Sequence, residues 1–451
     1  MVARILPIFC AMVLGLASPA MTQQAVGEWH GKLSVGAASL RIGLSVKRNA
    51  DGTLAGTLVS PDQGGQRIPT DPVTLSGNTL SFTIPSIKAS FVAAWDPARQ
   101  AWAGTWTQGM SFPLLLLPGA AAAVARPQEP KPPFPYGEEE VSIESVAGVR
   151  LAGTLTMPKG AGPFPALVLI SGSGPQDRNE EIMAHKPFLV LADYLTRRGI
   201  AVLRYDDRGT AKSTGVFATA TTRDFAQDAA AAVQWLRQHP HIDPGRVGAI
   251  GHSEGGLIAP MLAERDPKLG FIVLLGGPGV SGGDVLVAQT QATGQATGLP
   301  AETIAKNTAL MRQITDAVTH APDAAHAKTA VLKVLTASGA PAAVVDNQAN
   351  SLTTAWFREF LAYDPAPALR ALRIPLLALN GATDTQVVAS QNLPAIRVAT
   401  KGNPDATIME LPGLNHLFQT SASGNPQDYG TIEETFSPAA LTLIGDWVLK
   451  H

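Results

Sequence analysis

The chain reads as a small all-β domain followed by an α/β domain, in which a mostly parallel central sheet carries helices on both faces. Three observations predict this. From Gly27 to about Leu117, short apolar–polar alternations are broken by turn residues; from residue 138 onward, apolar runs alternate with amphipathic helical stretches; between them, residues 121–137 hold an alanine run and then Arg126-Pro127-Gln128-Glu129-Pro130-Lys131-Pro132-Pro133. So much proline favours extended geometry and a semi-rigid spacer. With 451 residues, 45% of them hydrophobic, the chain has apolar material for at least one large core and length for two or more domains. A formal net charge of −2 leaves no electrostatic footprint for nucleic acid or an anionic membrane.

Residues 1–22 have the pattern of an export signal. Arg4 supplies the positive start, Ile5–Leu16 an apolar stretch, and Ser18-Pro19-Ala20 small residues for cleavage. The stretch is shorter than the roughly 20 residues that span a bilayer. A buried N-terminal helix is the alternative. The only cysteine, Cys10, lies in this segment and would leave with it, and its flanks lack the small residues that precede a lipidated cysteine. A mature chain without cysteine suits an oxidising compartment without disulfides. The expectation is a periplasmic or secreted bacterial protein, with no membrane association once the signal is removed.

In the β-domain, residues 23–120, Leu40–Val46 and Thr53–Val59 flank a turn at Asn49–Gly52, and further strands are expected at Thr79–Ile84, Phe91–Trp95 and Ala103–Thr107. Period-two alternation at this spacing predicts an antiparallel sandwich or barrel. Trp29, Trp95, Trp102 and Trp106 read as its core, with a carbohydrate- or ligand-binding module as the alternative.

In the α/β domain, residues 138–451, strands are expected at Val141–Val146, Arg150–Met157, Ala166–Ile170, Ala201–Tyr205, Val247–Ile250, Phe271–Leu275, Pro375–Leu379 and Thr407–Leu411. Helices are expected at Pro187–Arg198, at Thr222–Gln238 (Phe225, Ala229, Val233 and Leu236 on one face), and from Gly255 onward. The alternation stops between Gly276 and Ile374, where only helical patterns occur. An inserted helical cap over about residues 277–370 explains the gap, as would extra helices at the sheet edge.

Gly251-His252-Ser253-Glu254-Gly255 follows the apolar run Val247–Ile250 and precedes a helix. A GxSxG sequence between strand and helix describes a strained turn that lifts the serine hydroxyl over the sheet edge. That hydroxyl needs a base, an acid to orient the base, and N–H donors for a developing oxyanion. Such sites take their residues in the chain order Ser…Asp…His, which points to a histidine beyond the last strand. His416 follows Thr407–Leu411 and Pro412-Gly413-Leu414-Asn415, whereas His30, His239, His241, His320, His326 and His451 lie elsewhere, and His252 is expected to point away from the serine within the turn. Asp384 stands after Pro375–Leu379, where the orienting acid belongs. Asp364 and Asp405 are rivals by count, one before the strand and one in a turn. The two N–H donors are expected from Glu254 and from the loop Ser171-Gly172-Ser173-Gly174-Pro175, with Ser173 named and Gly172 its closest competitor. No histidine–carboxylate cluster has metal-ligand spacing, so neither metal nor cofactor is expected.

Ser171–Asn179, Arg204-Tyr205-Asp206-Asp207-Arg208-Gly209, Gly251–Gly256, Asp384-Thr385-Gln386-Val387 and Gly413-Leu414-Asn415-His416 together resemble a bacterial α/β-hydrolase group, the EstD-like carboxylesterases. The resemblance spans about residues 138–451. It implies the α/β-hydrolase fold and hydrolysis of short-chain carboxylic esters, and it strengthens Asp384 as the acid. Thr210-Ala211-Lys212-Ser213 departs from the group, where a Gly-x-Gly-x-Ser run is commoner. Asp207 and Arg208 read as structural, tying down the loop near the site. The expected partner is a small-molecule ester attacked by Ser253, with His416 as base. A serine peptidase or amidase on the same scaffold is the enzymatic alternative, and an inert binding module the non-enzymatic one.

Overall fold

The computed structural model describes residues 25–35 and 38–451. The expected leader, residues 1–22 with Cys10, lies outside them. Two compact units are present, one ending at Ala125 and the other spanning Arg126–His451.

The first unit is a single antiparallel sheet. Its strands are β1 (Gly27–Val35), β2 (Ala38–Arg48), β3 (Leu54–Val59), β4 (Arg67–Pro69), β5 (Thr74–Ser76), β6 (Thr79–Ile84), β7 (Ala89–Asp96), β8 (Ala101–Gln108) and β9 (Met110–Pro118). They run in the order β4-β3-β2-β1-β9-β8-β7-β6-β5. The segment between β4 and β5 joins the two edges. Thr70 and Val73 donate to the carbonyls of Gly56 and Leu54 on one side, and Asp71 donates to Thr83 on the other. The sheet thereby curls onto itself and has little free edge. Alternation fills the interior: Ile42, Leu44 and Val46 of β2 and Leu80, Phe82 and Ile84 of β6 are buried in one core. Trp29, Trp95 and Trp102 meet edge to face there, with ring centroids 5.1 to 6.2 Å apart, an arrangement that aligns each ring edge with a neighbour's electron-rich face.

The second unit is built on an eight-stranded sheet: β10 (Gly137–Glu144), β11 (Arg150–Met157), β12 (Phe164–Ile170), β13 (Ala201–Tyr205), β14 (Ile242–His252), β15 (Ile272–Leu275), β16 (Leu376–Gly381) and β17 (Ala406–Leu411). The order is β10-β11-β13-β12-β14-β15-β16-β17, antiparallel at β10, β11 and β13 and parallel from β13 through β12 to β17. This is the α/β-hydrolase fold. Helices α1 (Pro187–Arg197), α2 (Thr222–Gln238) and α3 (Gly255–Arg265) follow β12, β13 and β14, while α10 (Ala389–Ala399) follows β16 and α11 (Pro438–Lys450) follows β17. Because side chains alternate along a strand, β12 feeds two cores. Ala166, Val168 and Ile170 meet the apolar stripe Phe225, Ala229, Val233 and Leu236 of α2, while Leu167 and Leu169 meet Phe188, Leu191 and Leu195 of α1 with Leu441 and Ile444 of α11. A capping box of Thr221 and Asp224 starts α2.

Two features differ from what residue patterns suggest. Strand β14 begins at Ile242, five residues before the apolar run, because Ile242 pairs with Phe164 across a register shift that Asp243 and Pro244 conceal in the sequence. The second unit also starts within the expected linker. The Arg126 guanidinium donates to the carbonyls of Ile432 at 2.8 Å, Gly430 at 2.9 Å and Met183 at 3.0 Å. Gln128 bonds the backbone of Thr435 and Phe436. Pattern reading treats such polar residues as solvated; here they fasten the chain to the α/β body.

Between β15 and β16 come α4 (Gly282–Ala296), α5 (Ala301–Thr319), α6 (Ala324–Ala337), α7 (Ala342–Ser351), α8 (Ala355–Ala362) and α9 (Ala366–Ala371). Helices α4 to α8 share a core of Ile314, Val318, Val331, Leu335, Phe360 and Leu361 that also takes in Leu257 of α3, whereas Leu369 of α9 belongs to the core beneath the sheet. The insertion therefore packs on the helix that starts beside Ser253.

Candidate active site

Ser253 joins β14 to α3 with φ of +52°. A non-glycine residue in this left-handed region costs on the order of 1–2 kcal/mol and persists only where its surroundings impose it. Here the Ser253 N–H donates to the Leu275 carbonyl at 2.9 Å, and Gly256 N–H donates back to the Ser253 carbonyl at 2.8 Å. The flanking glycines answer a space requirement. A Cβ on Gly251 would overlap the Gly255 carbonyl, and one on Gly255 would overlap the Ile170 carbonyl.

The backbone donors around the serine can be told apart by where they already bond. Gly172 N–H donates to Glu180 Oε1 at 2.6 Å, so it is committed. The N–H groups of Ser173 and Glu254 have no protein acceptor among the described residues. Both residues line a cavity with Ser253.

His416 and Asp384 sit in the loops after β17 and β16 and are brought together by the parallel pairing of those strands. His416 Nδ1 lies 2.8 Å from Asp384 Oδ2, with side chains 5% and 0% exposed. A carboxylate only accepts, so Nδ1 carries the proton and Nε2 keeps its lone pair. Asp384 is fully satisfied: Oδ1 accepts from the N–H groups of Gln386 at 2.8 Å and Val387 at 2.9 Å, and Oδ2 also accepts from Asn380 Nδ2 at 3.1 Å. Gly276, at φ +58°, makes room; a Cβ there would stand 3.1 Å from His416 Nδ1 and 3.3 Å from Asp384 Oδ2. Of the rivals, Asp364 only caps a short turn through the Ala366 N–H, and Asp405 lies near the C-terminal His451.

His252 is not turned away from the site, which corrects the expectation. Its ring lies 4.8 Å from that of His416 and lines the same small cavity. Nδ1 is 2.8 Å from Glu180 Oε1 and Nε2 is 3.0 Å from the His416 carbonyl. Both ring nitrogens face acceptors, an arrangement that favours the doubly protonated ring. Burial pulls its pKa down, but the charge and hydrogen bond of Glu180 and the His416 carbonyl hold it above the ordinary histidine value. Nothing in the sequence links Glu180 to this position; the two residues meet only across the sheet. His185 is a second histidine whose surroundings pattern reading does not reveal. It is buried between Thr435 Oγ1 and the Tyr429 carbonyl, and desolvation pushes its pKa down to about 4.

The Asp206-Asp207-Arg208 run ties three elements together. Asp206 takes the Arg178 guanidinium on both oxygens, at 2.8 and 3.0 Å. Asp207 accepts from Ser171 Oγ at 2.8 Å and Gln176 N–H at 3.0 Å, and burial raises its pKa to about 8. Arg208 pairs with Asp228 of α2 at 2.6 Å. The loop carrying Ser173 is thus held at both ends. In the departing run, Ala211 adopts φ of +47°, a backbone geometry that glycine takes more easily.

Two adjoining cavities meet at Ser253. One, of about 150 Å³, is lined by Ser173, Glu254, Gln289, Gln386 and the insertion residues Trp356, Phe357 and Phe360. The other, of about 70 Å³, is lined by Ser173, Glu180, His252, His416 and Leu417. Glu254 is 2% exposed. Its Oε1 accepts from Thr222 Oγ1 at 2.6 Å and from Trp356 Nε1 at 2.8 Å, joining α2 to the insertion. Desolvation raises its pKa to about 7 against those two bonds. Among the described residues, no group of three or more His, Cys, Asp or Glu side chains could hold a metal ion.

The chain is similar to several known proteins. Esterase EstD of Thermotoga maritima is 29% identical over 325 residues, covering 70% of this chain and 69% of its own. An uncharacterized protein of Mycobacterium tuberculosis, Rv2307c, is 29% identical over 141 residues, 31% of this chain and 46% of its own. Among solved structures, the Pyrococcus furiosus esterase Pf2001 aligns at 16% identity with a TM-score of 0.44, covering 74% of this chain and 99% of that one. The family model described as X-Pro dipeptidyl-peptidase (S15 family) matches residues 147–408, more than half of the chain. The protein is a serine hydrolase and belongs to the X-Pro dipeptidyl-peptidase (S15) family.

Proposed function

We propose that the protein is a carboxylesterase for short-chain acyl esters, with Ser253 as nucleophile, His416 as general base and Asp384 as the acid that orients it. The observation that carries this reading is the strained Ser253 turn, flanked by two uncommitted N–H groups and facing a buried His416–Asp384 pair. His416 Nε2 accepts the Ser253 proton as Oγ attacks the ester carbonyl. The oxyanion is received by the N–H groups of Ser173 and Glu254, each worth roughly 3 kcal/mol of transition-state stabilisation. The alcohol leaves with the proton from His416. Water, deprotonated by the same nitrogen, then releases the acid and restores Ser253.

The two cavities suggest which part of the ester goes where. A leaving alkoxide must be close to the group that protonates it, so the alcohol belongs on the side lined by His416. The acyl chain then occupies the 150 Å³ cavity under Trp356, Phe357 and Phe360, whose size favours short chains. Ser253→Ala should abolish p-nitrophenyl acetate and butyrate hydrolysis; activity near that of the unmodified enzyme would sink the assignment.

Peptide hydrolysis is the second reading, and one observation favours it: the acyl cavity contains a buried carboxyl, Glu254, with both protein bonds on a single oxygen. A family whose name describes X-Pro dipeptidyl release gives that carboxyl a use, since it could meet a free amine. Comparable turnover of an Ala-Pro-p-nitroanilide and p-nitrophenyl butyrate would favour the peptidase; ester turnover alone supports the esterase. The proposal includes export to the periplasm or medium with removal of residues 1–22. Intact mass of the protein secreted from a bacterial host tests this, and a retained Cys10 would refute it.

A further inference from the structure

One buried pair, Glu180 and His252, grips the chain beside each of the proposed reacting groups. Glu180 Oε1 accepts from the Gly172 N–H at 2.6 Å, one residue before the Ser173 donor. The same oxygen lies 2.8 Å from His252 Nδ1, one residue before Ser253. His252 Nε2 in turn stands 3.0 Å from the carbonyl of His416. The pair thus links the loop after β12, the turn after β14 and the loop after β17, the segments that carry the proposed oxyanion donor, nucleophile and base. Packing at the centre is tight: a Cβ on Gly172 would lie 3.1 Å from Ser253 Cβ and 3.2 Å from Glu180 Oε1.

Stability of the fold does not account for this arrangement. Glu180 and His252 are 4% and 7% exposed, and burying such a pair is a weak source of stability, because desolvation offsets its attraction. Glu180 Oε2 is buried with no hydrogen-bond partner among the described residues, which is a further cost. Glu180, Met183 and Ala184 also hold φ of +51°, +51° and +60°, a left-handed geometry that non-glycine residues adopt at a cost and that clusters at functional sites. Apolar side chains on an ordinary turn would fill the same space at less cost. They would not hold three loops in one register through directional bonds.

We propose that Glu180 and His252 are positioning residues that set the Ser173 N–H, Ser253 and His416 in register for attack. The proposal rests on the roles given above to those three residues. Neither side chain takes part in a covalent step. Glu180 fixes Gly172, so that the next peptide keeps its N–H free for the oxyanion, and His252 fixes the backbone of the base while its neighbour Ser253 occupies the strained turn. Alignment matters because a displacement of about 1 Å costs roughly a hundredfold in rate. The signature is a loss in kcat with little change in KM, since the donors and the base act on the transition state rather than on the bound ester.

The test is turnover of p-nitrophenyl acetate by the full-length protein, expressed per serine labelled to completion by a fluorophosphonate. Misfolding removes labelled sites, whereas misalignment slows each site that remains. Glu180→Leu removes the acceptor shared by Gly172 and His252; kcat per labelled serine should fall about a hundredfold, with KM changed by less than about threefold. His252→Leu removes both links of the imidazole and should show a similar loss. An asparagine amide nitrogen stands where Nδ1 does and a glutamine amide nitrogen where Nε2 does, so His252→Asn restores the bond to Glu180 and His252→Gln the bond to His416. Each should recover about tenfold of the His252→Leu loss. If Glu180→Leu yields no labelled protein, the His252 series decides. Glu180→Leu turnover within about threefold of the unmodified enzyme, or amide variants no faster than His252→Leu, overturns the proposal and leaves the esterase reading intact. If only Ala-Pro-p-nitroanilide turns over, the esterase reading fails and the same comparisons are made with that substrate. An unmodified protein that turns over neither substrate and is not labelled at Ser253 overturns both.

Discussion

Replacing Glu254 with glutamine tests the electrostatics of the site most directly. The carboxyl is buried, and its pKa is raised from 4.5 to about 7 by desolvation. A folded-state value above the unfolded one means that the group's contribution to stability is complete below pH 4.5 and is lost as pH rises through about 7. Each pH unit across that window is worth about 1.4 kcal/mol, so the folded protein loses ~3 kcal/mol from this group between pH 4.5 and pH 8. Glutamine keeps the acceptor that holds Thr222 and Trp356 but cannot ionise. The stability of Glu254→Gln relative to the unmodified protein should therefore move by ~3 kcal/mol in favour of the variant over that window. Urea unfolding of both full-length proteins at pH 4.5 and pH 8 measures this, since all other titrations are common to the pair. A difference that stays constant within about 1 kcal/mol, or that moves against the variant, would refute the argument that Glu254 is an uncompensated buried carboxyl.

Two further substitutions address the histidines. Asp384→Asn should lower kcat for p-nitrophenyl acetate on the order of ten-thousand-fold with little change in KM, because the amide no longer fixes the His416 tautomer; a loss below tenfold would remove Asp384 from its proposed role. Glu180→Gln leaves the His252 imidazolium without its counter-charge and should cost about 3 kcal/mol near pH 6. The pair's contribution is present below the ordinary histidine value of 6.5 and is lost as pH rises through the raised folded value. The cost of Glu180→Gln should therefore shrink toward pH 9; a cost independent of pH in urea unfolding would mean that His252 is neutral.

The features readable in the sequence are those that residue types encode locally. The Ser253 turn announces itself because glycine is the only residue that clears the Gly255 and Ile170 carbonyls, and because an apolar run before it and a helix after it are visible as periodicities. The parallel sheet is legible from apolar runs such as Ala166–Ile170, which must be buried on both faces. Asp384 and His416 could be named from their places after successive strands, since a parallel sheet delivers the loops after β16 and β17 to one edge. The start of β14 was not legible, because Asp243 and Pro244 look like a turn until the pairing of Ile242 with Phe164 of β12 is known.

What only the tertiary structure decided are the contacts between segments far apart in the chain. Glu180 reaches His252 across 72 residues and in doing so occupies the Gly172 N–H, which separates Ser173 from its neighbour by a criterion no spacing rule contains. Trp356 lies 102 residues from Glu254, yet its indole N–H helps to set the surroundings of that carboxyl. Trp106, which reads from the sequence as core with a binding module as the alternative, is buried in the core of the first sheet. Backbone geometry and burial follow from local steric and apolar pattern, so one chain suffices to read them. Charge state, donor availability and cavity shape depend on which distant atoms arrive at the same place, and that is settled only when the chain has folded.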